Sequence, residues 1–245
     1  MKKIAVWALI ASLAGFLFGF DTVVISGADK NLQAIWNSSD AFHGTVVMGM
    51  ALWGTVVGAI FGGIPTNRIG RKNTLLWIGI LFLVSAIGSA FANDPIVFAV
   101  FRFIGGIGVG ASTIAAPTYI SEIAPAKDRG KLVAFYQFNI VLGILVAFLS
   151  NYLLKDIGVN AWRWMMGVEA FPAILYIVLV LFIPKSPRWL LSKFKNDEAR
   201  KVLQLMGQET DYDKMKKEIE LDNDNAGLAN DNIFLKKYRT PLLLA

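Results

Sequence analysis

The sequence of 245 residues contains no cysteine. That excludes a disulfide framework, a thiolate metal site and a cysteine nucleophile. It has one histidine, His43, so no histidine cluster can hold a metal. Charged residues make up 17%, against about 25% in average soluble chains. No phosphate-binding glycine loop and no paired nucleophile and base stand out, which argues against an enzyme, and no cofactor or metal is implied. The net charge of +6 does not indicate nucleic acid, because the basic residues cluster between apolar runs.

Those runs are the main content of the chain; 55% of residues are hydrophobic. From Ile4 to Ile25 the only ionisable residue is Asp21. Twenty-two residues of helix rise about 33 Å, enough to cross a hydrocarbon core of about 30 Å. The run is too long for a signal-peptide core, so it reads as a retained span. Further spans are expected at about 43–66, 73–92, 96–119, 132–154 and 164–183. An exposed segment separates the first two, at roughly 27–42. His43 reads as a helix-end residue at the start of the second span. The N-terminus and the two basic loops hold eight Lys and Arg residues, and the opposing segments hold three, Lys30, Lys155 and Arg163. The bias predicts six spans in the bilayer with both termini cytoplasmic.

After Ile183 the character changes: residues 185–245 hold 12 Lys and Arg and 10 Asp and Glu. Trp189, Leu190, Phe194, Ala199, Leu203 and Met206 recur at near-helical spacing and predict one amphipathic helix over 187–206. A polar helix is expected at 211–221, and Asp222 to Asn232 reads as a flexible linker. Apolar character returns from Phe234 to Ala245, as though a seventh span began. The expected division is a six-helix transmembrane domain at 1–184, a cytoplasmic helical linker region at 185–232, and the start of a truncated second half at 233–245.

Asp21 is the first functional candidate, since a carboxylate in a span is expensive and calls for a partner. It lies roughly 6 Å from the outer end of its span, and Arg102 lies roughly 9 Å from the outer end of the fourth. At matching depth the two can pair, either as a static packing tie or as a titratable switch. Small residues recur every fourth position at Ala11, Gly15 and Gly19, at Gly54, Gly58 and Gly62, and at Gly106 and Gly110. Such rows allow close helix approach. Gln137 and Asn139 place amides in the fifth span; they can bond a neighbouring helix or a hydroxyl-rich ligand such as a sugar.

The loops are more specific. Gly63-Ile64-Pro65-Thr66-Asn67-Arg68-Ile69-Gly70-Arg71-Lys72 resembles the loop signature between spans two and three of the major facilitator superfamily. Pro117 to Gly130 resembles the sugar-porter signature at the end of span four, and Pro184-Lys185-Ser186-Pro187-Arg188-Trp189-Leu190 the one after span six. The resemblance implies an all-α membrane protein: the six-helix N-terminal half of a major facilitator fold, a 3+3 inverted repeat, followed by short cytoplasmic helices. It implies transport of a monosaccharide across the cell membrane, with protons as the coupled ion. Asp21 and Arg102 then match a proton-coupling pair, and Phe18, Gln137 and Ile140 match sugar contacts. Arg68, Arg71, Glu122, Arg129 and Arg188 match a cytoplasmic gate network. Asn67 and Lys185 stand where that family usually has acids. The alternatives are a non-transporting remnant or sugar-binding membrane protein, and a half-porter needing a homodimer or a separate second half.

Overall fold

A computed structural model describes residues 2–228. Among the described residues, six helical stretches are long and apolar enough to cross a membrane: Lys3–Gly27, Asp40–Arg68, Arg71–Phe91, Pro95–Ile123, Arg129–Leu154 and Ala161–Phe182. They are the first to sixth spans below. Short connections fold consecutive spans back on one another, as the hydropathy pattern requires. The fourth begins with a complete cap: Pro95 occupies the first turn, and Asp94 accepts from the amides of Ile96 (2.8 Å) and Val97 (3.2 Å).

Two helix–helix crossings are backbone-close. In the first, Gly15 and Gly19 meet the backbone of Tyr136 and Ile140, and Gly143 meets that of Phe16, joining the first span to the fifth. In the second, Gly54 and Gly58 meet Phe103 and Ile107, and Gly106 and Gly110 meet Ala51 and Thr55, joining the second span to the fourth. If spans one to three are matched to spans four to six, each crossing is the counterpart of the other, as a 3+3 repeat requires. The third and sixth spans pack together where Gly79 faces Tyr176 and Ile177. Leu52, Trp53, Ile60, Leu145, Leu153 and Phe182 remain exposed, an arrangement suited to hydrocarbon and not to water.

Prolines interrupt two spans. Pro65 cannot donate to the Phe61 carbonyl, and the second span breaks at Gly62. Pro172 cannot donate to the Val168 carbonyl, and the sixth span breaks at Val168–Glu169. Near its start, the second span is π-helical over His43–Met48.

Several expected boundaries move. The fourth span continues past Tyr119 to Ile123, because Tyr119, Ile120 and Ile123 are fully buried and the Tyr119 hydroxyl donates to Pro184 O at 2.8 Å. Residues 27–42 are not a plain exposed loop: Asp29–Trp36 is a helix whose Leu32 is buried, and Trp36 stacks near Phe98 and Trp162. His43 is more than a helix end. It is buried, with Nε2 2.7 Å from Asp29 Oδ1 and Nδ1 3.3 Å from Ser38 Oγ.

The expected single helix over 187–206 is two, Pro187–Ser192 and Asn196–Met206. Phe194 (φ 58°) sits in the left-handed region between them, and the Lys195 amide bonds back to Leu190 O at 2.9 Å. This six-to-one closure ends the first helix and leaves Phe194 81% exposed, so it leaves the apolar stripe. A third helix, Tyr212–Leu228, runs through most of the expected linker; the rest of that linker and the expected seventh span lie outside the described residues. These helices share a core with the spans, through Trp189, Leu190, Leu203, Met206, Tyr212 and Ile219. Gly70 (φ 92°) passes directly beneath the Trp189 ring, and the Trp189 indole donates to Asn67 O at 3.0 Å. A side chain at 70 would meet both the ring and an unfavourable backbone conformation.

Candidate functional site

The first span delivers Asp21 one helical turn before its α-helix tightens into the 3-10 turn Ile25–Gly27. The fourth delivers Arg102 two turns after its cap. Arg102 Nη1 donates to Asp21 Oδ1 at 2.6 Å, and Nη2 donates to the Asp21 carbonyl at 2.7 Å. Both residues are at most 2% exposed. Removing one partner of such a buried pair costs about 3–5 kcal/mol, because it leaves a lone charge.

Glu169 is the acid that the sequence reading passed over. It lies in the break that precedes Pro172, is fully buried, and its carboxyl faces both Asp21 and Arg102. Its Oε1 and Arg102 Nε have no hydrogen-bond partner among the described residues. The signal was available: Glu169 is an ionisable residue inside an expected span, the same criterion that singled out Asp21.

The two amides of the fifth span part company. Asn139 is buried and donates to Ser12 Oγ at 2.8 Å and to Phe135 O at 2.9 Å, so it ties the fifth span to the first. Gln137 is exposed, while Phe18 and Ile140 are half-buried beside the same crossing. Tyr136, behind them, pairs its hydroxyl with Ser112 at 3.0 Å. The three expected sugar contacts thus belong to the two spans that cross here, Gln137 exposed and Phe18 and Ile140 half-buried.

At the basic face, Arg71 Nη2 lies 2.9 Å from Glu122 Oε1, and Nη1 donates to Thr66 O at 3.0 Å. The other Glu122 oxygen is buried without a partner among the described residues. Arg188 pairs with Glu218 at 3.2 Å. Among the described residues Arg129 and Arg68 form no ion pair; Arg129 instead lines a cleft of about 200 Å³ with Glu122, Arg188, Lys214 and Glu218. The structure thus brings Arg71 and Glu122 together and sets Arg68 apart. Lys185, in the place of a usual acid, pairs with Glu198 at 3.2 Å. That hydrogen bond holds the exposed Glu198 carboxyl below its ordinary value. Among the described residues no group of acids and histidine could hold a metal ion.

Residues 7–245 match the family model described as sugar (and other) transporter. The D-xylose-proton symporter of Escherichia coli (strain K12) is 37% identical over 231 residues, covering 81% of this chain and 47% of that protein. The glucose transport protein of Synechocystis is 40% identical over 205 residues, covering 79% and 44%. The chain spans about half the length of the curated relatives it matches. Among solved structures, a major facilitator superfamily proton:xylose symporter bound to 6-bromo-6-deoxy-D-glucose superposes with a TM-score of 0.86. It is 33% identical, and the match covers 92% of this chain and 55% of that one. The fold is that of the six-helix half of a major facilitator.

Proposed function

The chain belongs to the sugar (and other) transporter family, and on that premise we propose that it forms the N-terminal half of a monosaccharide–proton symporter in the cytoplasmic membrane. The observation that carries this reading is the buried cluster of Asp21, Arg102 and Glu169. One guanidinium faces two carboxyl groups, so the cluster is neutral when one of the two carries a proton. Burial makes any other charge state expensive. Gain and loss of that proton changes which carboxylate Arg102 pairs with and so biases the packing of the first span against the fourth and sixth.

Phe18, Gln137 and Ile140 form the sugar-facing surface of this half. Gln137 is exposed on it, so a facing six-helix unit, either a separate second half or a second copy, completes the binding site. Arg71, Glu122, Arg129 and Arg188, with Arg68 at the rim, form the gate network of the basic face. This face and both termini are cytoplasmic in the same reading. A cysteine placed at Asn93 is labelled from outside and one at Lys127 is not; outside labelling at 127 would invert the topology.

The deciding experiment is Asp21→Asn in a transport-competent assembly, with proton-driven uptake and direct sugar binding measured on the same preparation. The expected result is loss of accumulation with binding retained. Undiminished accumulation would make the pair a packing tie and place coupling elsewhere.

A further inference from the structure

Ser85 of the third span is fully buried, and its hydroxyl has no hydrogen-bond partner among the described residues. A buried serine in a helix ordinarily turns its hydroxyl onto a carbonyl of the preceding turn. Ser12, Ser112 and Ser121 all do so, at 2.7 to 2.8 Å. Ser85 does not. Leaving a buried hydroxyl unpaired costs about 1–3 kcal/mol, so its position calls for an explanation.

The position is set by Gly105. This residue lies three positions after Arg102, on the same face of the fourth span. A Cβ built on it would collide with Ser85 Oγ and would lie 3.2 Å from Asp21 Oδ1. The bare backbone at 105 therefore admits the serine hydroxyl to the side of the fourth span that Asp21 occupies. Asp21 Oδ1 is the oxygen held by Arg102 in the ion pair. The ionisable groups facing Asp21 among the described residues are Arg102 from the fourth span and Glu169 from the sixth. Arg102 offers only donors to the protonated acid; Glu169 can accept from it, and the Ser85 hydroxyl is a second, uncharged acceptor whose capacity does not change with the protonation of Glu169.

We propose that Ser85 is a positioning residue of the coupling site, whose hydroxyl accepts the hydrogen bond of Asp21 once that carboxyl is protonated. The inference rests on the proton-coupling role of Asp21 given above. In the step, a hydronium ion gives a proton to an Asp21 carboxylate oxygen and leaves as water. The acid becomes neutral and releases Arg102, and its new O–H turns to Ser85 Oγ. Gly105 is the space that makes the exchange of partners possible. Ser85 thus stabilises the neutral acid, and Arg102 the ionised one.

The test is infrared spectroscopy of the full chain in lipid nanodiscs, following the protonated carboxyl band during a pH titration. Asp21→Asn identifies the Asp21 band, and Glu169→Gln separates it from the neighbouring acid. Ser85→Ala removes the acceptor, so the Asp21 band should appear only at more acidic pH, by about one unit. Ser85→Thr keeps the hydroxyl and should restore the parent titration. Gly105→Ala displaces the hydroxyl and should act like Ser85→Ala. Ser12→Ala, which removes a buried hydroxyl bonded to Asn139, should leave the band where it was. An unshifted band in Ser85→Ala, or an equal shift in Ser12→Ala, would overturn the role of Ser85 alone. If Asp21→Asn removes no band, Asp21 does not titrate, and both this inference and the coupling reading beneath it fail.

Discussion

Two ion pairs in this molecule use the same chemistry in opposite surroundings. Arg102 and Asp21 meet at 2.6 Å with side chains 2% and 1% exposed. Arg188 and Glu218 meet at 3.2 Å on the basic face with side chains 38% and 45% exposed. Arg71 and Glu122 lie between, at 14% and 9%. Water and salt screen the exposed pair, so either of its charges can lose its partner and be solvated. The buried pair has no such fallback. Its partners are bound to each other, or to whatever the protein supplies in their place. Burial thus makes the partners of one pair interdependent and leaves the other a surface contact.

The largest effect should come from the buried end of this series. Asp21→Ala leaves Arg102 with only the neighbouring Glu169 carboxyl, and thermal unfolding in detergent should show a loss of up to about 3–5 kcal/mol. Adding Arg102→Met should recover most of it; a single variant as stable as the parent would end the contrast. Next comes Arg71→Ala. It removes a charged, part-buried bond to Glu122, so a loss of about 1.5–3 kcal/mol is expected by the same measurement. Arg188→Ala should cost less than about 1 kcal/mol and lose even that at high salt. An Arg188 effect as large as the Arg71 one would show that exposure is the wrong axis.

The smallest effect concerns pH. Lys185 lowers the Glu198 carboxyl below its ordinary 4.5. A lowered acid contributes stability above its unfolded value, and that contribution is lost as pH falls through the lowered one. Protection of the amides in the helix Asn196–Met206, corrected for the intrinsic pH dependence of exchange, should therefore fall slightly only below pH 4.5, and Lys185→Gln should reduce the change, with Lys195 supplying the remainder.

Much of the fold was legible because hydrocarbon imposes a simple length rule and spans obey it. The pairing of Asp21 with Arg102 followed from depth alone. Depth could not show Glu169 turning toward them, since that depends on how the sixth span packs after its break at Pro172. The two amides were separable in principle: residues two apart on a helix point to different faces, so Gln137 and Asn139 could not both be buried against one neighbour. The split at Phe194 was hidden for another reason. A left-handed residue is usually glycine or asparagine, and phenylalanine gives no such signal.

The glycine-lined crossings have a consequence for heredity. Every glycine codon begins with two guanines, and each single-base change that alters the residue yields one with a larger side chain. At Gly19, Gly58, Gly106, Gly110 and Gly143 even a methyl group would run into the backbone of the facing helix. No one-step missense change at these five codons is conservative, so in a population of variants they should stay silent except for synonymous substitutions.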